Sequence, residues 1–203
     1  MHISRLLHKL FDVASKKIDK RIHKTLLSAA VTLSEHKQLS ISGLGRHLES
    51  QAKVKHTIKR IDRLFGNKNL HSGMTIYYQH MASILLKSNL HPVVIVDWSG
   101  LTKCGQFHFL RASVPVGGRT LTILDMSFCE KDYGSQRAHK LFLKQLKNLL
   151  PKGCQPIIVT DAGYRCPWFK LVRRMGWNFL GRVRNHTFFQ QEETGDWLPV
   201  KSL

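Results

Sequence analysis

Acidic residues are scarce in this chain. Its 203 residues carry 13 Asp and Glu against 32 Lys and Arg, a formal charge of +19. The basic excess is spread over both halves, so it is not a detachable tail, and a field of this kind draws polyanions and makes their association salt-sensitive. Charge alone does not separate a nucleic-acid protein from a ribosome-binding or merely soluble basic one. Cysteines are few as well: Cys104, Cys129, Cys154 and Cys166 are scattered and form no C-x-x-C pair. That spacing speaks against a disulfide frame and a zinc site and fits reduced thiols in a cytoplasmic protein. No apolar run approaches the ~20 residues that span a bilayer, and Met1-His2-Ile3-Ser4-Arg5 opens no signal-peptide core. Internal repeats and low-complexity tracts are absent, and the histidines stand mostly alone among lysines, as solvated or phosphate-facing groups would.

Against this basic background two aspartates stand out. Each ends a short apolar run: Val93-Val94-Ile95-Val96-Asp97 and Pro156-Ile157-Ile158-Val159-Thr160-Asp161. A carboxylate at the carboxyl end of a buried strand sits at the mouth of a sheet, where ligands and metals bind. Two of them on adjacent strands can share divalent metals and activate an oxygen against phosphorus.

The first ninety residues read as helical. Leu6, Leu7, Leu10, Phe11, Ala14 and Ile18 recur at helical spacing, as do Ile22, Leu26, Ala29, Ala30 and Leu33. A short helix is expected around residues 42–48, and a second from about Lys53 to Phe65, closed by Gly66-Asn67. On the second, Val54, Ile58, Ile61 and Phe65 are expected to form the apolar stripe, while Lys53, Lys55, His56, Lys59, Arg60 and Arg63 occupy much of the rest. The segment 40–66 therefore reads either as a helix-turn-helix DNA reader or as an ordinary amphipathic helix with a solvated basic face. One more helix, from about Ser72 to Lys87, leads to the break at His91-Pro92.

From Pro92 onward the pattern is strand, strand, strand, helix, strand, helix, strand. Residues 107–114 alternate like a strand, Gly117-Gly118 turns into 120–124, Arg137 to Leu150 is helical, and Pro167 opens a helix through Met175 before a strand at 178–184. The expectation is an α/β protein with a helical DNA-binding region over 1–90, a mixed sheet with helices over 91–185, and the start of a β-rich insertion over 186–203. Arg165, Lys170, Arg173, Arg174, Arg182 and Arg184 follow Asp161 as candidate phosphate contacts, Asp125 reads as a turn or surface acid at the sheet edge, and Trp98 and Trp168 read as core residues or stacking platforms for an unpaired base.

Val96-Asp97-Trp98-Ser99, Leu110-Arg111-Ala112-Ser113-Val114 and the run from Thr160 to Trp168 resemble bacterial cut-and-paste DDE transposases. The nearer likeness is to the insertion-sequence-four family and its insertion-sequence-ten branch, which Lys55 to Leu64 and Gly66-Asn67 also resemble. The resemblance implies an incomplete ribonuclease-H-like fold. It implies Asp97 and Asp161 as two catalytic carboxylates holding magnesium or manganese. It further implies double-stranded DNA as partner, with terminal inverted repeats and target DNA, self-association on paired ends, and a nucleoid location. The family's third carboxylate belongs to a Tyr-x-x-Arg-x-x-x-Glu signature that this chain does not contain, its last tyrosine being Tyr164. The expectation is therefore a C-terminally truncated transposase-like chain, impaired in catalysis or acting as a non-catalytic DNA-binding remnant or inhibitor. Glu192 and Glu193 are the only substitutes for the third ligand, in a stretch with no sustained helical stripe.

Overall fold

A computed structural model describes residues 3–15, 17–87, 89–184 and 187–202 of the chain. The side chain of Ala14 and the residues His186 and Leu203, all part of the expectations above, lie outside the described set. The chain forms two compact units, Met1–Met81 and Ala82–Leu203.

The first unit is helical: α1 (Ile3–Ser15), α2 (Lys20–His36), α3 (Ile41–His47), α4 (Val54–Phe65) and most of α5 (Lys68–Leu86). Asp19 caps α2 by accepting the backbone N–H groups of Arg21 and Ile22, and Ser40 caps α3 by accepting that of Gly43 at 3.0 Å. The core gathers Ile18, Ala29, Leu44, Leu48, Ile61, Leu64, Leu70 and Tyr77. One expectation needs correction here, and one histidine of this unit departs from the mostly solvated pattern. On α4 the buried face is Thr57, Ile61 and Leu64, whereas Val54 and Phe65 are exposed. The reason is a polar anchor: the Thr57 hydroxyl donates to the carbonyl of Gly45 and to that of Val54, turning its own side of α4 inward. Gly45 allows this approach, since a Cβ there would lie 2.5 Å from Ile58 Cα. That histidine is His23, buried with Nδ1 2.8 Å from the Tyr77 hydroxyl. Burial, with His8 nearby, holds the His23 pKa below the usual imidazole value.

The second unit is built on a five-stranded sheet of order β3-β2-β1-β4-β5, from β1 (Val93–Gly100), β2 (Phe107–Val116), β3 (Arg119–Cys129), β4 (Ile157–Thr160) and β5 (Asn178–Gly181). β1 to β3 form an antiparallel meander, and β4 and β5 join in parallel after α6 (Gln136–Leu149) and α7 (Cys166–Arg174). This is the mixed α/β sheet with helices that the hydrophobic pattern predicts, compatible with a ribonuclease-H-like transposase domain. Gly117 and Gly118, both at positive φ, make the two-residue turn between β2 and β3, the conformation that suits the strand twist and favours glycine. Val94, Val96, Leu110, Ile158, Phe142, Leu143, Leu146, Trp168 and Val172 make the core. The last strand is shorter than expected, ending at Gly181. Residues beyond it form a two-stranded hairpin, β6 (Phe188–Gln190) with β7 (Trp197–Pro199). Among the described residues no helix is long and apolar enough to cross a membrane.

Candidate active site

The parallel register pairs Val93 with Ile157, Val94 with Ile158 and Ile95 with Val159. Carried two residues further, it brings Asp161 beside Asp97 at the carboxyl ends of adjacent strands. Along β1 the buried positions are Val94 and Val96, and along β4 they are Ile158 and Thr160. The alternation therefore puts both aspartates on the less buried side of the sheet. An Asx turn fixes the second: Asp161 Oδ1 accepts the backbone N–H of Gly163 at 2.9 Å. Burial and the neighbouring charge of Asp161 raise the pKa of Asp97, while hydrogen bonds from Trp98 and Ser99 pull the other way.

Both carboxylates line a cavity of about 330 Å³ shared with Trp98, Tyr133, His139, Tyr164, Arg165 and Trp168. Its wall is aromatic. His139 of α6 accepts the indole N–H of Trp98 at Nε2 over 3.2 Å, so this nitrogen carries no proton. The same ring meets Trp168 edge-on at 4.8 Å and stacks with Tyr164 at 5.7 Å. Desolvation lowers the His139 pKa to about 4, so the imidazole is neutral at neutral pH. Burial raises the Tyr164 pKa, and the charges of Asp97 and Asp161 raise it further, keeping the phenol protonated. The Tyr164 hydroxyl, the Trp168 indole N–H and the Thr160 hydroxyl are buried without a hydrogen-bond partner among the described residues. Leaving such groups unpaired costs stability; of the three, Tyr164 and Trp168 also line the cavity of the two aspartates.

The sequence-predicted residues divide by place. Asp97, Asp161 and Arg165 come together at the cavity. Arg173 and Arg174 are exposed at the end of α7 and do not line it. Lys53, Lys55, His56, Lys59 and Arg63 are exposed on or next to α4 in the first unit, with Arg60 partly buried. Trp168 is a core residue that also lines the cavity. Asp125 is not a turn acid. It sits mid-strand in the edge strand β3, in the row Asp97, Arg111, Asp125 set by strand pairing, and Arg111 binds both of its oxygens at 2.8 and 2.9 Å. Arg111 thus occupies the carboxylate of Asp125. Glu192 and Glu193 fall in the turn between β6 and β7 and are absent from the cavity lining. Sequence reasoning missed His139, Tyr133 and Tyr164; His139 and Tyr133 meet Trp98 from far along the chain, whereas Tyr164 packs on nearby Trp168 as well as on His139.

Two carboxylates offer the hard oxygen donors that a magnesium-type ion takes together with waters and phosphate oxygens; burial first, and the Asp161 charge after it, raise the Asp97 pKa, and a bound cation would offset both costs. Among the described residues no cluster of three or more His, Cys, Asp or Glu side chains is assembled.

Residues 88–198, more than half of the chain, match the family model of the transposase DDE domain. The chain belongs to that family. No curated protein and no solved structure matches it.

Proposed function

We propose that the chain is a cut-and-paste transposase-like protein of the insertion-sequence-four type, insertion-sequence-ten branch, acting on double-stranded DNA at insertion-sequence ends and impaired in cutting because no third carboxylate joins Asp97 and Asp161 in the cavity lining. The single observation that supports this most is the shared cavity of Asp97 and Asp161 inside the stretch matching the transposase DDE domain. In this reading Asp97 and Asp161 hold magnesium or manganese, which when bound stabilises the attacking and leaving oxygens of displacement at phosphorus. Arg165, exposed at the cavity, pairs with a DNA phosphate. Neutral His139 fixes the ring of Trp98 next to Asp97. Arg173 and Arg174 extend the phosphate contacts. The N-terminal helices, with Lys53, Lys55, His56, Lys59, Arg60 and Arg63, read the terminal inverted repeats, and subunits associate on paired ends.

A second reading is favoured by one observation: Asp97 and Asp161 are the acids among the cavity-lining residues, with Glu192 and Glu193 outside. The 203-residue chain by itself then holds DNA without cutting it efficiently and competes with an intact enzyme for its ends.

Nicking of supercoiled plasmid by the purified chain with magnesium or manganese, beside Asp97→Asn, tests both. Binding without nicking is the expected result and supports the second reading. Nicking that disappears in Asp97→Asn supports the catalytic one and makes Glu192 and Glu193 the next substitutions. Nicking that survives in the purified variant overturns the site assignment.

A further inference from the structure

Between α2 and α4 the first unit contains a second cavity, of about 440 Å³, with Arg21, Thr25, Arg60, Arg63 and Asn67 in its lining and no acid among its lining residues. Arg21, Arg60 and Arg63 all line this cleft, and none of them is ion-paired among the described residues. Asp19 accepts the backbone N–H groups that open α2 with Oδ1. Asp62 lies about 200° around α4 from Arg60 and lines a neighbouring cavity with Arg63 and Asn67. Arg60 is also held in place. The Thr25 hydroxyl donates to the carbonyl of Arg21 at 2.8 Å and accepts Arg60 Nε at 3.2 Å. This bond leaves the terminal nitrogens of Arg60, a planar fork suited to two oxygens of one anion. Cations that line one cleft favour an anion there, and a tetrahedral oxyanion accepts several N–H groups at once.

We infer that the α2–α4 cleft seats one backbone phosphate of duplex DNA, gripped by Arg21, Arg60 and Arg63. The inference rests on the proposed DNA-binding role of this unit and specifies how it docks. The flank of α4 facing α2 anchors the backbone, leaving the outward positions Lys55, His56 and Lys59 for the groove. A phosphate contact of this type positions the protein but carries no sequence information.

The test is duplex binding by the full chain over a range of salt concentrations, for the wild type, Arg21→Ala and Arg21→Lys. Arg21 is exposed on the surface of α2, and unchanged circular dichroism and melting establish that the variants fold. Loss of one phosphate contact weakens binding about tenfold at roughly 0.1 M salt and makes the log–log salt slope shallower by about 1. The same factor should apply to unrelated duplexes of equal length. Arg21→Lys keeps the charge and therefore the slope, while losing part of the affinity with the fork. If the wild type binds duplex and Arg21→Ala changes neither affinity nor slope, the cleft is not the seat, although the unit still binds DNA. If Arg21→Ala abolishes binding of inorganic phosphate, followed by NMR, without touching duplex binding, the cleft takes a free anion and the inference is overturned. If the wild type binds no duplex, the DNA-binding role of the unit falls and the inference with it.

Discussion

Asp97 and Asp161 share their cavity with a phenol, an indole and an imidazole that are all kept uncharged, and two of these carry consequences that can be measured. His139 is neutral in the fold with a pKa near 4, against 6.5 for a free side chain. At pH above 6.5 the ring is neutral both folded and unfolded, and the stability is fully present. Between pH 6.5 and 4 the unfolded chain takes up the proton first, so stability falls with pH. Thermal melts should show the wild type losing stability across this window more steeply than His139→Gln, which keeps an acceptor for Trp98 but does not titrate. Parallel curves would show that His139 is not buried neutral. Tyr164→Phe removes a buried hydroxyl that has no partner among the described residues, so it should leave the free protein as stable or stabilise it by about 1 kcal/mol. A large drop in melting temperature instead would mean that the hydroxyl is bonded in the fold. The aspartates were legible in the sequence because each follows an apolar run directly. His139 was not, since its partner Trp98 is 41 residues away, and only the packing of α6 against the sheet brings them together.

At the scale of elements, the helices and strands follow the periodicity closely, and the errors lie where one contact overrides it. Counting apolar residues on α4 selected Val54 and Phe65. The fold instead turns Thr57 inward, because its hydroxyl satisfies the Gly45 carbonyl where α3 and α4 touch. A hydroxyl used in this way has no signature in a hydrophobic pattern. Gly45→Ala tests the contact. A Cβ 2.5 Å from the Ile58 backbone must push the helices apart, at a cost of about 1–3 kcal/mol in chemical denaturation; an unchanged midpoint would mean that the helices can separate freely. Asp125 lies at the sheet edge as expected but not in a turn, for a related reason. The strand β3 runs on to Cys129, so a residue expected near its end lies inside it, held by Arg111. The basic face of α4 was legible as composition, and Lys59→Ala with Arg60→Ala should lower duplex affinity and flatten its salt dependence. Unchanged binding would take the contact off this helix.

For the whole molecule, a charge of +19 sets the background on which every specific claim must be measured, because non-specific attraction to DNA is expected at low salt whatever α4 does. The chain belongs to the transposase DDE-domain family through residues 88–198, and what was legible of its function came from two linked strand ends rather than from that charge. The central claim is that Asp97 and Asp161 act together on a divalent ion. Its most direct test is manganese binding by the full chain, followed by electron paramagnetic resonance, beside Asp97→Asn and Asp161→Asn. The account predicts saturable binding that weakens by about tenfold or more in each variant, at least as much as losing an outer-shell partner costs elsewhere. Equal manganese affinity in all three proteins would contradict it.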